Sequence, residues 1–280
     1  MEPSEVLMRR VLVLLDASRT GLAAVETAAR MAAQAQAELT GLFVEDAALL
    51  RSAALPFARE INLVSASLRP LSTAEVERRL RAQAAALRVQ LESTAQRFSV
   101  HWSLQVSRGE VNAATVGATQ PDDMLIVQVG PPTGIQRGHR GAQVAALASL
   151  AQCPVLVLTG PAKLSASQEI AVLIDDASSE NTALPRAGIM ARAEHRALAV
   201  LGAPCAHPAE RTSAVRDWLR AHRLSATVTT LPSDQISALI AAMRPTSGRT
   251  LVFRQGTMGL AGSRLAELIR AADFPILITP

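Results

Sequence analysis

The chain has 280 residues, 49% of them hydrophobic, a net charge of +4 and two cysteines; at about 100–200 residues per domain it has room for two packed cores. No apolar run approaches the roughly 20 residues of a membrane span, two cysteines make no disulfide framework, and 2% aromatics with no tyrosine remove the stacking platforms of single-strand nucleic-acid binders. Lys163 is the only lysine, which excludes both a Gly-x4-Gly-Lys-Ser/Thr phosphate loop and a buried Schiff-base lysine.

Arg9-Arg10 before Val11–Leu15 imitates a signal peptide, but the apolar run is too short and Asp16 ends it. Val11–Leu15 therefore reads as a buried strand. Ser18 is placed to cap a helix running to about Ala35, with Leu22, Val25, Ala29 and Ala32 on one face. Leu39–Val44 is the second strand, and 46–71, with Pro56 and Pro70, reads as irregular. Thr73 starts a helix to about Arg97, with Val76, Leu80, Leu87 and Leu91 in one stripe and a solvated charged face opposite. Val100–Val106, Met124–Val129 and Val155–Leu158 are further strands, with helices over Val111–Ala118 and from Gly141 onward. Unbroken apolar strands alternating with helices predict an α/β chain whose parallel strands are covered on both faces.

Residues 160–168 read as a linker between a first domain, 1–159, and a shorter second one, 169–280. The second predicts strands at 169–174, 197–201, 226–230, 250–254 and 276–279. Its helices run to about Glu194, then over 209–222, 234–243 and 263–271. The first domain's surplus, 46–71 and a longer helix, leaves from the carboxyl end of a strand, where open α/β sheets bind ligands. It folds over the first site as a lid or packs against the other domain.

The two domains are one pattern written twice. Each opens with an apolar strand ending in acid: Asp16-Ala17-Ser18 in one, Asp175-Asp176-Ala177-Ser178 in the other. Each closes with a glycine, an apolar helix and a proline-led strand. Gly141 precedes Cys153-Pro154 and Gly262 precedes Phe274-Pro275 by the same 12-residue step. An acid ending the first strand and a Gly-rich turn before the last helix are how open α/β folds frame a nucleotide.

Together with Glu38-Leu-Thr-Gly-Leu-Phe-Val-Glu-Asp46, the Val106-x-x-Gly109 step, Asp122-Asp123 before Leu125-Ile-Val127, and the Gly141…Cys153-Pro-Val-Leu-Val close, this order of motifs resembles the universal stress protein family, as a tandem. The resemblance implies two tandem open parallel five-stranded sheets with helices on both faces, each in the order 3-2-1-4-5. It also implies a pseudo-dimer formed within one chain through the two fifth strands. Family members that bind ATP share an acid after the first strand, an apolar wall near the end of the second, and a Gly-x2-Gly-x9-Gly-Ser/Thr loop around the phosphates. Such glycines let backbone N–H groups converge at a helix N-terminus.

Carried over by residue, Asp16 matches the acid and Val44 the wall. The first loop, Gly130, Gly134, Gly138 and Gly141, departs from the pattern. Its gaps differ, Pro131-Pro132 delete two donors, and Ala142 replaces the hydroxyl. Arg137, His139 and Arg140 are placed to compensate with charge. In the second copy Asp175 or Asp176 matches the acid. Gly256 and Gly259 fit the first gap and Gly262-Ser263 the last pair, but only Leu260-Ala261 separates them. That turn also reads as a tight strand-to-helix connection with Ser263 as the helix cap.

Other constellations are weaker. Cys205-Ala-His207 lacks further ligands at metal spacing, Cys153 and Trp218 read as packing residues, and no Gly-x-Ser-x-Gly elbow occurs. Asp122-Asp123 reads as a surface strand entry, and Asp175-Asp176 as an acid pair able to hold Mg2+ or merely solvated. The expectation is a cytoplasmic, non-catalytic stress-response or regulatory module. Its adenine-nucleotide sites have diverged, with ATP and Mg2+ as the ligand class and no nucleic-acid or membrane partner. The alternatives are a nucleotide-free interaction scaffold and an ATP-using enzyme of the same superfamily.

Overall fold

The structure, a computed structural model, describes residues 8–15, 21–61, 68–129, 137–159, 169–175, 182–244 and 249–280. The chain forms two compact units, residues 1–123 and 124–280. The first contains β1 (Arg10–Leu15), α1 (Gly21–Ala35), β2 (Glu38–Asp46), α2 (Ala47–Ala53), β3 (Arg59–Ile61), β4 (Leu68–Pro70), α3 (Thr73–Phe98), β5 (Trp102–Gly109) and α4 (Val111–Ala118). β2 lies between β1 and β5 and is parallel to both. The stripe Val76, Leu80, Leu87 and Leu91 of α3 is buried, as its spacing predicts. Ser72 caps α3 by accepting the Glu75 N–H at 3.1 Å, and left-handed Ser99 ends it. At Gly41 a side chain would meet Leu15 and Leu91, so α3 packs against bare β2 backbone there.

The insertion is more ordered than its sequence suggests. Asp46 accepts the Ala48 N–H at 2.7 Å and starts α2 directly from the end of β2. β3 and β4 then form an antiparallel hairpin in which Pro70, needing no ladder donor, stands opposite Arg59. Glu60 receives Arg79 of α3 at 2.6 and 2.9 Å, and α2 rests on α3 and β5. The described contacts of the insertion with α3 and β5 lie within the first unit.

Asp123 corrects another expectation. It is buried rather than a surface strand entry. Its carboxylate receives Nε and Nη2 of Arg10 at 3.1 and 2.6 Å and the Gln120 N–H at 2.7 Å. Arg10 also donates to the Ala118 carbonyl at the end of α4.

The second unit contains β6 (Asp123–Val129, whose first residue belongs to the first unit), α5 (Arg137–Leu150), β7 (Val155–Thr159), β8 (Ile170–Ile174), α6 (Ala183–Ala193), β9 (Leu198–Gly202), α7 (Pro208–Ala221), β10 (Ala226–Thr230), α8 (Ile236–Met243), β11 (Thr250–Arg254), α9 (Gly262–Ala271) and β12 (Ile276–Thr279). Its strand order is β10-β9-β8-β11-β12-β7-β6. The second copy thus has the expected 3-2-1-4-5 order. In the first copy β5-β2-β1 gives third, second and first, and fourth and fifth strands β6 and β7 pair in parallel. Every residue of β7, β8 and β9 is buried, which explains their unbroken apolar runs.

β7 and β12, the two fifth strands, pair antiparallel, with Ile276 opposite Val157 and Ile278 opposite Val155. The Thr159 hydroxyl donates to the Phe274 carbonyl at 2.8 Å. The Gln255 amide donates to the Ala148 carbonyl at the end of α5. This junction draws the close of the first copy into the same compact unit as the second.

Candidate functional site

Of the residues singled out above, Val44 and Asp175 stand at the carboxyl ends of parallel strands. In the first copy, Asp16, Gly130 and Gly134 lie outside the described residues. Val44 stands half-buried near the end of β2. Beside it Glu45 accepts Nε of Arg108 at 2.9 Å, and Arg108 also faces Glu77. Gly138 lies in the first turn of α5, and Gly141 lies a turn further in rather than opening the helix. There Gly141 is buried. A Cβ would sit 3.1 Å from both the Ala266 carbonyl oxygen and Cγ of Arg270, so this glycine lets α5 approach α9. Helix α5 starts at Arg137, earlier than a reading that spends 137–141 on a loop.

In the second frame, Asp175 and the turn between β11 and α9 are described, whereas Asp176 and the rest of residues 176–181 lie outside the described residues. Asp175 follows β8, and both of its carboxylate oxygens accept the Met258 N–H, each at 2.9 Å. Gly256, Gly259 and Gly262 all have positive φ, at +83°, +65° and +50°, and the turn between β11 and α9 needs them for that. Met258 shares the left-handed region at φ 56°. The other donors of the turn bond inward. Gly259 N–H donates to Gly256, Leu260 N–H to Thr257 and Ala261 N–H to Gly259, all at 2.9 Å. A phosphate loop requires such N–H groups to converge on the ligand; in this turn those of residues 258–261 are engaged within the protein. Ser263 is not the cap: Ala261 holds that position, without a side-chain hydrogen bond, and Ser263 is exposed inside α9.

Sequence reasoning missed Arg211. This residue of α7 is buried, with its guanidinium at the carboxyl ends of three strands. It donates to the Ala203 carbonyl, to the Asp175 carbonyl at 3.2 Å and to the Thr230 hydroxyl at 3.4 Å. It lies against Gly202, where any side chain would overlap it. The signal was present: Arg211 shares the i, i+4, i+8 stripe of α7 with Val215 and Leu219, both buried. An arginine in an apolar stripe has to find acceptors inside.

The remaining constellations stay apart. Cys205 is exposed and Cys153 buried, and no group of three or more metal-ligating side chains occurs among the described residues. Trp218 stacks on His222 with ring centroids 4.1 Å apart and packs against Gly188. No helix of the described chain is long and apolar enough to cross a membrane.

No protein-family profile matches the chain, and no curated protein matches it in sequence. Solved structures do match its fold. A universal stress protein from Archaeoglobus fulgidus DSM 4304 superposes with a TM-score of 0.70 at 10% identity, over 98% of this chain and 97% of that one. A protein of unknown function from Pseudomonas aeruginosa PAO1 gives 0.62 at 15% identity, over 98% and 93%. A "Putative Universal Stress Protein" from P. aeruginosa UCBPP-PA14 gives 0.58 at 16% identity, over 98% and 94%. The chain therefore has the fold of the universal stress proteins over nearly its whole length.

Proposed function

We propose that this chain is a non-catalytic regulatory module of the stress-response type, whose adenine-nucleotide sites have diverged from a common frame. The observation that carries the reading is the turn between β11 and α9. It keeps the glycines and the acid of a nucleotide frame, yet its donors bond to Asp175 and to the turn itself. A frame retained in fold and altered in wiring fits a module that acts through binding and domain packing. The ligand class is ATP with Mg2+, held in the first copy by Asp16 and Val44.

The test is a calorimetric titration of ATP with Mg2+ into nucleotide-stripped protein, with Asp16→Ala as the control. Binding in the parent that disappears in a folded Asp16→Ala variant supports the nucleotide module. At 100 times Kd, bound ATP stabilises the protein by about 2.7 kcal/mol, so a thermal shift accompanies the heat. Absence of both supports a nucleotide-free interaction scaffold. That second reading is favoured by the apolar side chains on and beside the β3–β4 hairpin, where Leu55, Phe57, Ile61 and Leu68 are 48–76% exposed. Turnover of ATP would support the enzyme alternative instead.

A further inference from the structure

We propose that the second copy is sealed from within by Arg211, so that a chain holds at most one nucleotide, in its first copy. The one-nucleotide clause rests on the nucleotide reading above; the seal rests on the second unit's own geometry.

Strand register locates the plug. Leu15 stands opposite Phe43 in the first copy and Ile174 opposite Gly202 in the second. Ala203 is therefore the counterpart of Val44, the wall expected against a base. The Ala203 carbonyl accepts from Arg211, and the same guanidinium reaches the Asp175 carbonyl and the Thr230 hydroxyl. Arg211 is 7% exposed and lies on the bare backbone of Gly202. A base entering here would have to expel a buried cation and strip two backbone carbonyls of their donor.

The rest of the frame is closed in the same manner. The acid that would meet a ribose is Asp175, and both its oxygens face the Met258 N–H. Met258 holds a left-handed backbone with its side chain buried, an arrangement that persists only where surrounding contacts enforce it. The wall, the acid and the turn are thus each bonded to another part of the same unit. A site kept for a ligand leaves such groups idle, at a cost to stability that their removal recovers. A sealed frame uses them, and their removal costs stability.

The experiment compares Asp175→Asn and Arg211→Met with the parent, in urea denaturation and in ATP titration. Asp175→Asn keeps the shape of an exposed side chain; Arg211→Met keeps volume and deletes the donors. The seal predicts that each variant lowers the folding constant at least tenfold, and that neither Asp175→Asn nor any purified Arg211→Met changes ATP affinity or stoichiometry. Unchanged or raised stability in Asp175→Asn overturns the seal, as does any loss of ATP affinity in that variant or two nucleotides per parent chain. If Arg211→Met is too unstable to purify, that counts as lost stability and Asp175→Asn decides. A parent that binds no ATP refutes the nucleotide reading of the first copy and leaves the denaturation result to judge the seal.

Discussion

Replacing Asp123 by alanine tests the pin at the amino ends of the first unit's strands. The carboxylate is 3% exposed and holds two Arg10 nitrogens and the Gln120 N–H. Removing one member of a buried pair costs about 3–5 kcal/mol, because the other charge stays behind. Arg10 is 24% exposed and can recruit water, which places the loss near the lower end, about 3 kcal/mol. For a chain of this size that is a fall in Tm of about 6–12 °C. Denaturation of Asp123→Ala, Arg10→Ala and the double variant, followed by far-UV circular dichroism, gives the coupling directly; about 2 kcal/mol is expected. A cost within about 0.5 kcal/mol of zero for Asp123→Ala would refute the reasoning and return Asp123 to the surface.

Three further outcomes follow from the same geometry. Gly141→Leu gains helix propensity but collides with α9, and should lose about 1–3 kcal/mol in urea denaturation; a gain of about 1 kcal/mol would separate the two helices. Gly259→Ala meets no neighbour, but at φ +65° it should cost about 1 kcal/mol from backbone strain alone, and a neutral result would deny the left-handed turn. The hydrogen bond from Arg79 holds the Glu60 carboxyl below its ordinary range. A depressed folded-state pKa means the contribution is present above the unfolded value and lost as pH falls through the folded one. Amide exchange of the β3–β4 hairpin, corrected for intrinsic rates, should therefore quicken in acid, and Glu60→Gln should abolish that pH dependence.

The strands were legible because burial on both faces writes them as continuous apolar runs. Residues 250–254 match β11 to the residue, and four of its five residues are buried. The hairpin was not, because β3 and β4 have three residues each, too few for any period to show. Asp123 looked like a surface acid because its partner Arg10 is 113 residues away, and no local pattern carries a pairing at that separation. Gly141 was assigned to a phosphate loop because glycine before an apolar helix is ambiguous. Only the approach of α9 reveals it as a packing position. In the second copy the acid and glycines stand out, but Met258 fills a position the frame motif leaves unspecified, and Arg211 comes from a helix outside it.

The antiparallel pairing of β7 with β12 has an evolutionary consequence. A strand edge of this kind seeks a complement, and two identical chains joined through it must carry every substitution in both halves. Here the complement is covalently supplied, always present and always in equal amount. Each half is then free to change alone: one half can lose a ligand, shorten a loop or acquire a buried arginine while the other drifts separately. Duplication within one chain turns a symmetric contact into a licence for division of labour.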